Sequence, residues 1–261
     1  MRRIEFSEEL WISWADQDER VWRDTFVDVF EAQMAEIIRR GLLIGFNMVE
    51  AEINGIVKGE EYQAIYETLY MEQGQRYYEY IKRRVKSENL KLRTKALDPN
   101  DPYFLYMQEF IDSITGSKVV SVQATSREAA VNAIQSVTQE VLEMGLGSEE
   151  AAKLIQERVI SEWRILSEFR AQRIARTEVT ALANRASYLG AQTSGVNFQK
   201  EWMAYIDSRT RATHKAANGT RVGPFEWFEI GEARLQYPGQ YAAGDASETI
   251  QCRCRLGYVV E

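Results

Sequence analysis

The apolar residues of this 261-residue chain change their period once, near Val196, and that change constrains what it can fold into. Upstream, apolar positions recur every three or four residues, the spacing that places them on one face of a helix. Downstream, Lys200-Glu201-Trp202-Met203-Ala204-Tyr205-Ile206-Asp207 alternates as a strand does, and Thr249 to Val260 repeats the pattern. Helices followed by a small antiparallel sheet make an α+β chain.

The helical part divides further. Val21, Trp22, Thr25, Phe26, Val29 and Phe30 form a stripe that continues through Met34, Ile37 and Ile38, with Asp16 as the expected cap. A second helix covers Tyr62 to about Lys86 and is rich in tyrosine. Asp98-Pro99-Asn100-Asp101-Pro102 then breaks the chain, because each proline disfavours helix at the residue before it. A short helix is expected from Tyr103 to Ile114, ended by Gly116-Ser117. This gives a helical N-terminal region, 1–115, and a second domain, 116–261. In the latter, Ser126-Arg127-Glu128 opens a helix that Gly145-Leu146-Gly147 closes, and Ser148 caps the next. A third helix is expected from about Glu168 to Gly190.

Composition removes several function classes. A formal charge of −7 argues against coating nucleic acid with the whole surface. No window approaches the roughly 18–20 apolar residues that cross a bilayer, the longest apolar stretch being Gly41 to Val49. The start, Met1 to Glu9, lacks the apolar core of a signal peptide, so a cytoplasm-like compartment and no membrane partner are expected. Cys252 and Cys254 are too few for a disulfide framework.

Four polar features stand out. The first, Arg173-Ile174-Ala175-Arg176-Thr177-Glu178 with Asn184 beyond it, contains no evident nucleophile and reads as side chains tying a helix to the following sheet. The second is Asp207-Ser208-Arg209-Thr210-Arg211-Ala212-Thr213-His214, followed by Asn218-Gly219. There Asp207 can cap the next helix or bind Arg209 or Arg211, and His214, the single histidine, orients the loop or serves as metal ligand or base. The third is Cys252-Arg253-Cys254. On a strand both thiols share a face, with Cα atoms about 6.6–6.8 Å apart, which disfavours a disulfide. The two thiols, His214 and a carboxylate (Asp207 or Glu248) form a ligand set that suits zinc, though the spacing matches no standard finger. Otherwise they are small apolar groups in a core. The fourth is a local excess of positive charge from Arg76 to Lys95, in which Lys82, Arg83, Arg84 and Lys86 form either a solvated face or a surface for DNA or an acidic partner.

The order of these pieces resembles the MuF-like head-morphogenesis domain of tailed bacteriophages. Arg176, Glu178 and Asn184, then Lys200-Glu201-Trp202, then Asp207, Arg209, Arg211, His214 and Gly219 follow its pattern. Tyr237-Pro238-Gly239 and Ala246-Ser247-Glu248-Thr249-Ile250-Gln251-Cys252-Arg253-Cys254 are similar to its terminal block. The resemblance covers roughly Val120 to Tyr258. It implies a minor head protein of the virion, associated with the portal protein or the capsid interior and contributing to assembly, packaging or ejection of DNA. On that reading the signature residues brace a fold, no residue is catalytic and no cofactor is expected, a zinc ion at the two thiols being the alternative. Some relatives continue into toxin or ADP-ribosyltransferase modules, for which no room is expected after Glu261. The competing expectation is a zinc-dependent hydrolase or nuclease built on His214, Cys252 and Cys254.

Overall fold

A computed structural model of the chain describes residues 1–40, 53, 55–86, 100–241 and 246–260. The Gly41–Val49 stretch, Asp98 and Pro99 of the proline break, and Lys91, Arg93 and Lys95 lie outside the described residues. Four long helices dominate: α1 (Glu8–Arg39), α2 (Gly59–Val85), α3 (Pro102–Glu143) and α4 (Ser148–Gln192). Two short ones follow, α5 (Ala212–Ala217) and α6 (Ala246–Thr249). The strands are β1 (Arg2–Ile4), β2 (Phe198–Met203), β3 (Arg221–Val222), β4 (Phe228–Ile230), β5 (Ala233–Leu235) and β6 (Arg255–Val260). The fold is α+β. Among the described residues, no helix is long and apolar enough to cross a membrane.

Several helix boundaries differ from those expected. Helix α1 begins eight residues before Asp16, and Ser7 caps it: its Oγ accepts the Leu10 amide at 3.2 Å. Gly116-Ser117 does not stop a helix, and Ser126 does not start one, because α3 runs through both. Gly116 is exposed, so it removes no packing, and a glycine costs a helix only about 1 kcal/mol. The Ser126 hydroxyl turns back onto the Val122 carbonyl at 2.6 Å, the mid-helix alternative to capping. The helices expected from Ser148 and from Glu168 are one continuous α4.

The chain forms two compact units that interleave along the sequence, so the division after residue 115 falls inside α3. One unit holds residues 23–66 and 114–172. Its buried residues include Phe26, Phe30, Tyr62, Tyr66, Ile134, Val137, Val159 and Trp163, with Phe30 edge-on to Trp163. Trp163 donates its indole N–H to the Phe30 carbonyl (2.9 Å), and Tyr62 donates to Gln33 (2.9 Å), so the buried polar edges of both rings are satisfied.

The other unit holds residues 1–22, 67–113 and 173–261. Its sheet is antiparallel with order β1-β6-β2-β3, and β4 and β5 form a separate hairpin. The N-terminal β1 pairs Ile4 with Tyr258 and Arg2 with Val260, so β6 is an inner strand. All six β6 residues are buried, which erases the alternation expected of it, and Arg255 is buried with the rest. Beside the sheet, Phe6 stacks on Tyr80 at 4.5 Å and meets Tyr77 edge-on. Buried Asp18 accepts from Tyr77 (2.8 Å) and pairs with Arg76, so a charge in this aromatic cluster is matched.

Two glycines in α-helices of this fold have opposite surroundings. A Cβ on Gly190 would overlap the Tyr78 carbonyl oxygen of α2, whereas one on Gly116 meets nothing within 4 Å. Gly190→Ala is therefore expected to lower stability by about 1–3 kcal/mol through forced separation of α2 and α4. Gly116→Ala is expected to raise it by up to about 1 kcal/mol. Urea denaturation of the two variants beside the parent measures both signs.

Candidate functional site

On α4, Thr177, Thr180, Asn184 and Ser187 recur at spacings that put them on one face. Each meets the chain that leads into and along β6. Thr177 Oγ1 accepts the Gln251 amide (3.0 Å), and Thr180 Oγ1 donates to the Cys252 carbonyl (2.7 Å). Asn184 donates Nδ2 to the Cys254 carbonyl (3.0 Å) and accepts the Leu256 amide on Oδ1 (2.9 Å). Ser187 Oγ and the Tyr258 hydroxyl lie 3.0 Å apart. The helix advances roughly 4.5–6 Å between these positions, and extended chain about 6.7 Å over two residues, so helix and segment stay in step.

Around this ladder the other signature residues are also held internally. Tyr70 donates to Glu178 Oε2 at 2.7 Å in a buried contact, and Arg176 lies 3.4 Å from Glu19. Gly239, with φ at 79°, passes so close to α4 that a Cβ would stand 3.0 Å from the Ala181 amide nitrogen. The Tyr237-Pro238-Gly239 turn thus needs glycine both for its backbone conformation and for its approach.

The loop after β2 is organised by Asp207. Its carboxylate takes both guanidinium nitrogens of Arg253 (2.7 and 2.8 Å), the Arg209 amide (2.8 Å) and the Thr210 hydroxyl (3.0 Å). The Arg253 guanidinium, with smaller help from Thr210 and the Arg209 amide, holds this carboxyl well below the usual carboxylate range. Asp207, expected beside the thiols, lies instead on Arg253, and the described cluster holds His214, Cys252 and Cys254 without it. Arg211 donates to the Ile250 carbonyl (2.7 Å), the Arg209 side chain is exposed, and Gly219 donates its amide to the Trp202 carbonyl (2.8 Å).

Cys252 and Cys254 precede β6 rather than lying on a strand. The chain from Ala246 forms the turn of α6, and Gln251 sits in the left-handed region at φ 55°, so extended pairing begins only at Arg255. Both thiols are nonetheless buried with His214 of α5. His214 Nδ1 is 3.2 Å from Cys254 Sγ and 3.7 Å from Cys252 Sγ. On the ring's other side, Nε2 stands 3.0 Å from Glu248 Oε2, off the line of a hydrogen bond, and Thr213 donates to that same oxygen at 2.9 Å. The Cys254 thiol is pulled down to about 5, chiefly by its hydrogen bond with Cys252 and then by His214. The Cys252 thiol, facing that thiolate in a buried site, is pushed up. Among the described residues, His214, Cys252 and Cys254 form the group that could hold a metal ion.

Of the basic residues, Arg84 and Lys86 are exposed, while Lys82 donates to the Tyr78 hydroxyl (2.7 Å) and Arg83 pairs with Glu79 (3.1 Å). A cation that charge reading did not single out is Lys200 of β2. It is fully buried, donates to the carbonyls of Glu226 (2.6 Å) and Gln236 (3.0 Å), and lies over the Tyr188 ring. Burial lowers it to about 8, partly offset by Glu226. Thr180 and Ser187 were also missed, although their spacing with Thr177 and Asn184 on an otherwise apolar helix face was a readable signal.

Two measurements follow from this geometry. Asn184→Ala strands the Cys254 carbonyl and the Leu256 amide in a buried site and is expected to cost about 2–5 kcal/mol. Thr177→Ala, at a more exposed rung, is expected to cost under about 1 kcal/mol. Chemical denaturation of both variants gives the comparison. For Lys200, the folded value of about 8 lies below the ordinary lysine value of 10.5, so the unfolded chain binds the extra proton between the two. Its charged form therefore opposes folding at neutral pH, and stability is regained as pH rises from about 8 towards 10.5. The parent should gain on Lys200→Met across that window in paired unfolding curves.

Comparisons with known proteins bear on this region. The family model for Phage Mu protein F like protein matches residues 132–257. An NAD(+)–arginine ADP-ribosyltransferase of Enterococcus faecalis is 29% identical over 166 residues, covering 60% of this chain and 32% of that protein. The minor head protein of Bacillus phage SPP1 is 30% identical over 158 residues, covering 58% of this chain and 47% of that protein. The chain thus spans less than half the length of either curated relative. No solved structure matches. Residues 132–257 are thus similar to the phage Mu protein F-like family.

Proposed function

We propose that this protein is a minor head protein of a tailed bacteriophage, acting in head morphogenesis by binding other head components at the portal vertex or the capsid interior. The observation that carries the reading is the Mu protein F-like region, joined to similarity over 58% of the chain with a phage minor head protein. The geometry supports a binding role rather than a catalytic one. Glu178, Asn184 and Asp207 direct their polar atoms into the fold, towards Tyr70, β6 and Arg253. A cavity of about 20 Å³ lies beside His214 and the two thiols, enough for one water and too small for a substrate. A hydrolase or nuclease needs an open site for its substrate.

Packaging or ejection of DNA is the further part of this reading, and contact with the genome would fall to Arg84 and Lys86, with Lys82 and Arg83 behind them. Such contact is screened by salt.

Affinity purification of the tagged chain from an assembling-head lysate is expected to retain portal or capsid subunits, identified by mass spectrometry. Recovery of the chain free of any head protein, or robust hydrolysis of nucleic acid by the purified chain, contradicts the proposal. In a separate measurement, exchanging Lys82, Arg83 and Arg84 for glutamate is expected to abolish DNA retention at low salt. Unchanged retention removes DNA contact through this helix.

A further inference from the structure

We propose that His214, Cys252 and Cys254 hold a zinc ion through Nδ1 and two thiolates, with Glu248 orienting the imidazole from its far side and one water completing the coordination. The separations fit. Zinc bonds of about 2.3 Å to sulfur and 2.0–2.1 Å to nitrogen, at tetrahedral angles, place neighbouring N and S donors roughly 3.5 Å apart. Here Nδ1 stands 3.2 and 3.7 Å from the two sulfurs, and the three donor atoms lie within 4.8 Å of one another, all buried.

The surroundings suit anionic sulfur. The Cys254 amide points at Cys252 Sγ (3.5 Å), and Arg211 lines the same small cavity as the two thiols. Donors of this kind stabilise metal-bound thiolates. Glu248 Oε2 lies 3.0 Å from Nε2 and is fixed by Thr213. Among the described residues, Nε2 has no hydrogen-bond partner in this arrangement, and a small turn of the Glu248 carboxylate would give it the outer acceptor that zinc-bound histidines commonly have. The cavity of about 20 Å³, lined in part by Tyr205, Thr210 and Arg211, admits a single water as fourth ligand.

The ion would clip α5 to the chain entering β6, across 38–40 residues of sequence. Its role is structural, and the inference stands apart from the head-assembly reading, since a metal-free chain could still bind head components.

The test uses the full chain purified without chelator. Elemental analysis is expected to give close to one zinc per chain. Replacement by cobalt(II) should produce thiolate-to-metal charge transfer and the intense visible bands of a tetrahedral site. X-ray absorption at the zinc edge should count two sulfurs. Cys252→Ser and Cys254→Ser should each lose the metal, and Glu248→Gln should keep it with affinity reduced 10–100-fold. If the cysteine variants fail to fold, the cobalt spectrum of the unaltered chain decides alone. A chain that carries no zinc, shows no cobalt–thiolate band and melts at the same temperature with or without added zinc overturns the proposal. So does an absorption edge whose shell holds only nitrogen and oxygen.

Discussion

A side-chain ladder from one helix face to one segment of chain sets the C-terminal architecture. Thr177, Thr180, Asn184 and Ser187 of α4 reach Gln251, Cys252, Cys254, Leu256 and Tyr258 in order. Among the described residues, those from Gln251 to Cys254 lie on no strand, so buried backbone groups there need partners that the helix supplies. That supply lets the chain turn through α6, pass two cysteines beneath α5 and still enter the sheet in register. The register then places β6 between β1 and β2. Gly239 against Ala181 and Tyr70 on Glu178 fix the same helix from two further sides.

Much of this was legible in the sequence. The α+β order followed from one change of period, and the polar signature along α4 pointed to a helix tied to a sheet. The misreadings have a common cause. Gly116 and Ser126 read as punctuation because local propensity disfavours them in helices, but α3 runs through both. Thr249 to Cys254 alternates as a strand would, yet its amides and carbonyls are taken by α4 and by its own turns. Nothing in Arg2-Arg3-Ile4 announced a strand; β1 exists because β6 offers an edge. Glu248 instead of Asp207 beside His214 could not be chosen from spacing, since Arg253 decides where the Asp207 carboxylate goes.

The same bonds shape the functional reading. Catalytic groups are usually left exposed to a cleft with unmet hydrogen-bonding capacity. Here Glu178, Asn184 and Asp207 are consumed in holding α4, the Asp207 loop and β6 together. The buried cluster of His214 and two thiols sits within that framework, where it can add a further tie between α5 and the β6 approach. A C-terminal platform of this kind suits the proposed place among other head components.

The central claim is that the ladder makes the chain from Gln251 to Leu256 part of the α4 core rather than a surface loop. Native-state hydrogen exchange of the Gln251 and Leu256 amides measures this directly. The account predicts exchange from these two amides only through the same opening that releases the buried middle of α4, near Leu182. Rapid exchange from Leu256, at a rate typical of solvent-exposed turns while α4 stays protected, would contradict it.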